Sequence, residues 1–98
     1  MDQQPVQPVR VHIWVQGRVQ GVGFRAHVES GARQLGVTGW VRNVGWDTVE
    51  AVAEGEKASV ERFIEVVKQG PRMARVDEAK VEWETPTGEF TGFGVKWG

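Results

Sequence analysis

Hydrophobic and polar side chains alternate near the start of the chain. Apolar side chains occupy every second position: Val9, Val11, Ile13 and Val15. The positions between them hold Arg10, His12, Trp14 and Gln16. Residues two apart share one face of a β-strand, so this spacing is typical of a strand with one buried face. We therefore predict the first strand over residues 9–16.

Two later segments have the period of a helix. In the first, apolar side chains recur every three or four residues: Phe24, Val28, Ala32 and Leu35. The second has the same kind of apolar stripe: Val60, Phe63, Ile64 and Val67. Gly36 follows the first segment, and Gly70 and Pro71 follow the second, which are typical residues beyond a helix end. The pattern predicts two amphipathic helices.

Strand patterns fill the rest of the chain. Residues 37–44 and 48–54 predict two strands, and the three residues between them predict a hairpin. Ala79, Val81 and Trp83 alternate with charged residues as a further strand. A short last strand is indicated by three apolar residues at alternate positions: Phe93, Val95 and Trp97.

The order of these elements is βαββαβ followed by a short extra C-terminal strand. Two βαβ halves in one chain are the ferredoxin-like arrangement, an α+β fold. We expect an antiparallel sheet with two helices on one face and the other face open.

Length and composition indicate that the chain forms one ordinary globular domain. It has 98 residues, of which 40% are hydrophobic and 26% charged. We predict a flexible N-terminal tail over residues 1–8, which is rich in Gln and Pro, and a single domain over residues 9–98. No cysteine is present, which excludes thiol nucleophiles and thiolate metal sites and favours the cytoplasm.

Charge limits the classes of partner. The formal net charge is −1, which provides no electrostatic basis for binding nucleic acid or an anionic membrane. We therefore expect no nucleic-acid partner and no membrane partner. We also expect a monomer that acts on a small molecule, an expectation that does not depend on charge.

Candidate chemistry is concentrated in residues 17–25, Gly-Arg-Val-Gln-Gly-Val-Gly-Phe-Arg, between the first strand and the first helix. Glycine permits positive φ, so successive N–H groups can converge on one anion, and the helix start adds unpaired N–H groups. Arg25 could supply a planar, permanently charged fork for phosphate. Glycine spacing alone leaves a second interpretation open, in which the stretch is a tight turn and Arg25 a solvated surface residue.

Nucleotide-binding motifs fit this loop poorly. Gly21, Gly23 and Ala26 match a loose dinucleotide pattern, but the chain is too short for a doubly wound sheet and contains a hairpin instead. A P-loop is excluded because no Gly-Lys-Ser or Gly-Lys-Thr follows the glycines.

Two motifs together, residues 17–25 and Thr-Gly-Trp-Val-Arg-Asn at residues 38–43, closely resemble the acylphosphatase family. The resemblance extends to Val-Ala-Glu-Gly at residues 52–55 and Thr-Gly-Phe at residues 91–93, so it covers nearly all of residues 9–97. One departure is Gly-Trp-Asp-Thr at residues 45–48, where many relatives have an Asp-Gly turn. We expect this difference to change the shape of the hairpin and not the chemistry.

The resemblance implies roles for named residues. Arg25 would bind the substrate phosphate, and Asn43 would position the attacking water. Neither side chain titrates, so the arginine acts as a charge clamp and the carboxamide as an orienting group. The backbone cradle would be formed by six residues: Val19, Gln20, Gly21, Val22, Gly23 and Phe24.

The implied reaction is hydrolysis of an acyl phosphate to carboxylate and inorganic phosphate by in-line attack of water. A substrate oxygen can take the proton of the water, and the acylate leaves without protonation. We therefore expect neither a cofactor nor a metal.

Other polar residues are interpreted structurally. His12 and His27 lack partners at triad or ligand spacing. Solvated faces and cross-strand pairs explain the strand carboxylates: Glu50, Glu54, Glu82 and Glu84. Arg18 and Arg42 flank the two motifs as secondary candidates for raising the local potential.

Two alternative functions remain open. The first is a phosphate- or carbamoyl-phosphate-binding module without turnover, since acylphosphatase-like domains also occur in larger carbamoyl-transferring proteins; the short chain favours a free-standing enzyme. The second is an RNA-binding sheet carrying some of the five tryptophans, which the net charge and the aromatic-free strand at residues 48–54 oppose.

Overall fold

The computed structural model describes residues 7–97. Its first half contains a strand, β1 (Pro8–Arg18), a helix, α1 (Phe24–Leu35), and a second strand, β2 (Thr38–Val44). The second half contains β3 (Thr48–Glu56), α2 (Lys57–Gln69), β4 (Arg75–Glu84) and β5 (Phe93–Val95). The predicted order of elements is confirmed.

The strands form one sheet in the order β4-β1-β3-β2-β5. The pairs β1 with β3, β1 with β4 and β2 with β3 are antiparallel, as predicted. The short β5 instead runs parallel to β2, with Val41 opposite Val95, so the complete sheet is mixed. Strand direction depends on the path of the irregular segment that carries the chain from β4 to the opposite edge, and residue spacing does not encode that path.

The hydrophobic core lies between the sheet and the two helices. The alternating residues Val11, Ile13 and Val15 of β1 are fully buried there. They pack with a stripe from each helix: Phe24, Val28 and Ala32 of α1, and Val60, Phe63 and Val67 of α2. Burying a Val, Ile or Phe side chain contributes about 1.5–3 kcal/mol, so this layer holds both helices on one face of the sheet.

The start of α1 is fixed by a close contact with the end of α2. Gly70 follows α2, and a Cβ at this position would lie 2.5 Å from the ring of Phe24. Phe24 is buried and is the first residue of α1. The contact therefore holds the beginning of the helix, and the loop before it, against the core.

Element boundaries differ modestly from the sequence-based ones. β1 extends over Pro8–Arg18, longer than the predicted residues 9–16, and Pro8 pairs with Glu56 of β3. Of the predicted tail at residues 1–8, residues 1–6 lie outside the described residues, and Pro8 belongs to the first strand.

Candidate active site

The loop between β1 and α1 combines glycines of positive φ with unpaired backbone N–H groups. Gly21 and Gly23 have φ of 75° and 76°, in the left-handed region that favours glycine. Nothing lies within 4 Å of where a Cβ would be at either position, so backbone conformation and not crowding requires glycine there. Within residues 7–97, the N–H groups of residues 20–24 donate no hydrogen bond. These donors are available to a ligand.

The first turn of α1 adds a positive environment. It contains no acidic residue and no side-chain cap, so the helix dipole is not neutralised at its N-terminus. Arg25 lies in this turn and is half-buried. Its guanidinium makes no hydrogen bond or ion pair with any residue from 7 to 97; its carbon Cζ lies 4.3 Å from the ring centroid of Trp97. The N–H groups of the Arg25 guanidinium are therefore not engaged by residues 7–97.

Asn43 faces the same space from β2. It lies two residues after the buried Val41, on the helix-covered side of the sheet. Its Oδ1 atom is buried and accepts no hydrogen bond from residues 7–97. An unpaired buried acceptor costs about 1–3 kcal/mol, so this oxygen is a position where a donor, such as water, is strongly favoured.

A pocket of about 240 Å³ brings these groups together. Of the eight predicted site residues, seven line it: Val19, Gln20, Gly21, Gly23, Phe24, Arg25 and Asn43. Val22 does not line the pocket, because its side chain packs against the hydrophobic core. The remaining wall consists of four residues that sequence analysis did not assign to the site: Ala26, Glu29, Val95 and Trp97.

Some of these missed residues carry a sequence signal. Ala26 and Glu29 follow Arg25 by one residue and by one helical turn, so they share its end of α1. Val95 and Trp97 have strand spacing, but their position beside Asn43 depends on the parallel pairing of β5 with β2, which the sequence pattern does not indicate.

A side chain of the loop connects it to the hairpin. Gln20 donates from Nε2 to the carbonyl oxygen of Thr48 at 2.9 Å, and to those of Val44 and Gly45 at 3.3 Å each. The hairpin also accepts a backbone hydrogen bond from Gly17 to Asp47, at 3.0 Å. The loop is thereby fixed relative to β2, the strand that carries Asn43.

The secondary candidates lie elsewhere. His12 is on the open face of the sheet, where its ring stacks on Trp14, and His27 is exposed on α1. Neither lines the pocket. Arg42 donates to Glu50 at 2.6 Å on the open face, and Arg18 lies at a separate polar groove with Arg75.

The open face carries a cluster of paired charges, which we call the open-face cluster: Arg10, His12, Arg42, Glu50, Glu54 and Glu84. Glu50 and Glu54 are 5% and 4% exposed, so the expectation of a solvated face is wrong for these two, while cross-strand pairing accounts for them. Glu54 accepts hydrogen bonds from Arg10 at 2.8 Å and from the backbone N–H groups of Thr87 and Gly88.

These contacts govern the titration of the carboxylates. Burial by itself raises the pKa of Glu54, but hydrogen bonds from Thr87, Arg10 and Gly88 hold that pKa below its ordinary value. Glu50 behaves in the same way: burial opposes its charge, and hydrogen bonds from His12 and Arg42 lower its pKa. Both carboxylates are ionised at neutral pH.

Two features are absent from residues 7–97. No helix in this part of the chain is long and apolar enough to cross a membrane. In the same residues, no group of three or more His, Cys, Asp or Glu side chains is arranged to hold a metal ion.

Comparison with known proteins identifies the family. The acylphosphatase family model matches residues 11–95, which is most of the chain. The chain belongs to the acylphosphatase family. An acylphosphatase from Roseiflexus sp. (strain RS-1) is 49% identical over 88 residues, which are 90% of this chain and 95% of that protein. The predictions of an acylphosphatase family member and of a hydrolase are confirmed.

Solved acylphosphatase structures share the fold. The crystal structure of acylphosphatase from Bacillus subtilis superimposes with a TM-score of 0.85 at 34% identity, over 90% of this chain and 98% of that one. Full-length HypF, in its phosphate- and nucleotide-bound form, has a TM-score of 0.83 at 28% identity; the match covers 97% of this chain but 12% of HypF. The ferredoxin-like fold is confirmed.

Proposed function

We propose that this acylphosphatase hydrolyses small acyl phosphates in the pocket between α1 and β2, with Arg25 and Asn43 as catalytic residues. The observation that carries the assignment is the buried, unpartnered Oδ1 of Asn43 beside a loop whose N–H groups are unpaired. An acceptor placed next to an anion cradle suits a water molecule that must be held close to a bound phosphate.

In the proposed complex, the N–H groups of the loop and the guanidinium of Arg25 bind the phosphate oxygens. The predicted cradle residues are Val19, Gln20, Gly21, Val22, Gly23 and Phe24, acting through their backbone. Val22 contributes its N–H group only, since its side chain packs on the core. Arginine suits this role because its planar fork matches phosphate geometry and keeps its charge.

The reaction proceeds by in-line displacement. A water molecule that donates a hydrogen bond to Oδ1 of Asn43 directs a lone pair at phosphorus. The new bond joins the water oxygen to phosphorus, while the bond from phosphorus to the acyl oxygen breaks and its electron pair leaves on the carboxylate. A phosphate oxygen takes the water proton. Every step is supplied by substrate, water and these residues, so we propose a metal-independent reaction without a cofactor.

Hydrolysis of benzoyl phosphate in the presence of EDTA tests this assignment. Arg25→Ala and Asn43→Ala should each lower kcat/KM by at least about 10²–10³, the typical cost of removing one preorganised donor from an active site. Arg62→Ala is the matched control, because Arg62 is an exposed arginine on the other helix and outside the pocket. Wild-type turnover no faster than background, or full activity in both variants, would show that the proposal is wrong.

The similarity to HypF favours a second candidate, a phosphate- or carbamoyl-phosphate-binding module without turnover. The same loop geometry would bind the anion in both cases, and only turnover separates them. Two results together would favour this binding module. Wild type would bind inorganic phosphate while Arg25→Ala does not, and wild type would not hydrolyse benzoyl phosphate.

The remaining proposals concern partners and location. We propose a cytoplasmic monomer with no nucleic-acid or membrane partner. The cysteine-free composition supports the location, and the net charge of −1 weighs against both kinds of partner. On the open face, Arg10 and Arg42 are paired with carboxylates, which weakens the case for RNA binding there. Salt-sensitive affinity for single-stranded RNA would contradict this part of the proposal.

A further inference from the structure

Trp97 makes a cation–π contact with the guanidinium of Arg25. The carbon Cζ of Arg25 lies over the indole ring, 4.3 Å from its centroid, inside the range of about 6 Å that defines a cation–π contact. Trp97 is 76% exposed, although exposure of so large an apolar residue is unfavourable. An exposed indole against the cation of a candidate site needs a functional explanation.

The fold places Trp97 at the pocket through the pairing of β5 with β2. Val95 is opposite Val41 in this parallel pair. Trp97 and Asn43 each follow two residues later, so strand spacing directs both to the helix-covered side, and both line the pocket. The same strand is fixed in the core by Phe93, whose ring contacts that of Phe63.

An aromatic partner suits an arginine that must bind an anion. A carboxylate would occupy the N–H groups of the guanidinium and compete with the phosphate. A ring face instead attracts the cation through its quadrupole and leaves the N–H donors free. It also limits the rotamers of a long side chain, which reduces the entropy lost when the ligand binds.

We propose that Trp97 is a positioning residue, whose indole face holds the guanidinium of Arg25 in the pocket with its hydrogen-bond donors directed to the phosphate. Because this inference rests on the proposed function of Arg25, its test separates the two. Trp97 acts through Arg25 and is not itself a catalytic residue.

The first test compares Trp97→Leu with Trp97→Phe. Leucine retains an apolar side chain but removes the π face, and phenylalanine retains a π face. We expect Trp97→Leu to lower kcat/KM for benzoyl phosphate and the affinity for inorganic phosphate by about 3- to 10-fold, and Trp97→Phe to stay within about 2-fold of wild type. Trp83→Leu is the matched control, since Trp83 is 52% exposed on β4, outside the pocket, and should have no effect.

The second test introduces Trp97→Leu into Arg25→Ala. If Trp97 acts through Arg25, the double variant should bind phosphate no more weakly than Arg25→Ala alone. Three outcomes would overturn the proposal. Trp97→Leu and Trp97→Phe could lose equal activity and affinity, or Trp97→Leu could weaken phosphate binding as much in the Arg25→Ala background as in wild type. Activity of Trp97→Leu equal to or above that of wild type would also contradict it. Isothermal titration with inorganic phosphate needs no turnover, so it tests Trp97 even if wild type fails to hydrolyse benzoyl phosphate and the proposed function is wrong.

Discussion

Two arginines on opposite faces of the sheet have contrasting surroundings. Arg10, in the open-face cluster, donates to Glu54, Glu84 and Glu89 at 2.8–3.0 Å. Arg25, in the pocket, lies against a tryptophan ring and has no carboxylate within ion-pair distance among residues 7–97. The hydrogen-bonding capacity of Arg10 is used to hold strands together, whereas that of Arg25 is available.

The same contrast holds for the acceptors. Glu54 is buried and accepts four hydrogen bonds, from Arg10, from Gly88, and from the N–H and hydroxyl of Thr87. The buried Oδ1 of Asn43 accepts none from the described residues. A polar group that folding leaves unsatisfied is therefore the feature that separates the candidate active site from the structural cluster.

The largest expected effects come from replacing each of the two arginines by alanine. Arg25→Ala should lower kcat/KM by at least about 100-fold and change the free energy of unfolding by less than about 0.5 kcal/mol. Arg10→Ala should lower the free energy of unfolding and leave kcat/KM nearly unchanged, because it leaves Glu54 buried without its cation. Urea unfolding and benzoyl phosphate hydrolysis, measured on both variants, check this. Comparable destabilisation by the two substitutions would contradict the distinction.

Glu54→Gln tests the structural cluster from the acceptor side. The amide nitrogen of the glutamine would face groups that now donate hydrogen bonds to the carboxylate. The free energy of unfolding should therefore fall by about 2 kcal/mol. The kcat/KM of the folded protein should be unchanged, since Glu54 lies on the face opposite the pocket. Glu82→Gln, at an exposed strand carboxylate, is the control and should leave both quantities unchanged.

Acid should remove the difference between wild type and Glu54→Gln. The native contacts lower the pKa of Glu54 below its unfolded value, so its contribution is present at neutral pH and is lost as the pH falls through the native pKa. The stability gap between the two proteins should therefore begin to shrink below about pH 5 and become small once Glu54 is protonated. Urea titrations from pH 7 to pH 3 would show this, and a gap that widens in acid would be the contrary result.

The smallest effect is expected from Gln20→Ala. Loss of its hydrogen bonds to the hairpin should let the loop move relative to Asn43 and lower kcat/KM by about 3- to 10-fold. Gln16→Ala, which removes a hydrogen bond to Asp47 at the same hairpin, is the control and should affect activity less. An equal loss in both variants would indicate a general loosening of the hairpin and not a specific role of Gln20.

Much of the fold could be predicted because the signals are local. Alternation defined β1, the 3.6-residue period defined both helices, and glycines marked their ends. The conformation of the loop before α1 could be anticipated for the same reason, since its three glycines permit the positive φ that the backbone adopts there. The resemblance to the family then connected Asn43 to the loop, which residue spacing alone would not have done.

Features that depend on long-range pairing escaped prediction. The direction of β5 follows from where the chain crosses the sheet, so the position of Trp97 beside Asn43 could not be derived from its spacing. The burial of Glu50 and Glu54 was missed for a related reason. Alternation places them on strands, but their partners Arg10 and His12 come from β1, about 40 residues earlier in the chain, and Thr87 and Gly88 follow β4.

The central position of β1 also has a consequence for amide hydrogen exchange. Residues 10–16 pair with β3 on one side and with β4 on the other, and the unpaired N–H groups of the loop follow directly after this strand. Amides of β1 should exchange among the slowest in the protein, and those of residues 20–24 among the fastest. Bound phosphate would then slow amide exchange in residues 20–24 and leave the already slow exchange of β1 unchanged.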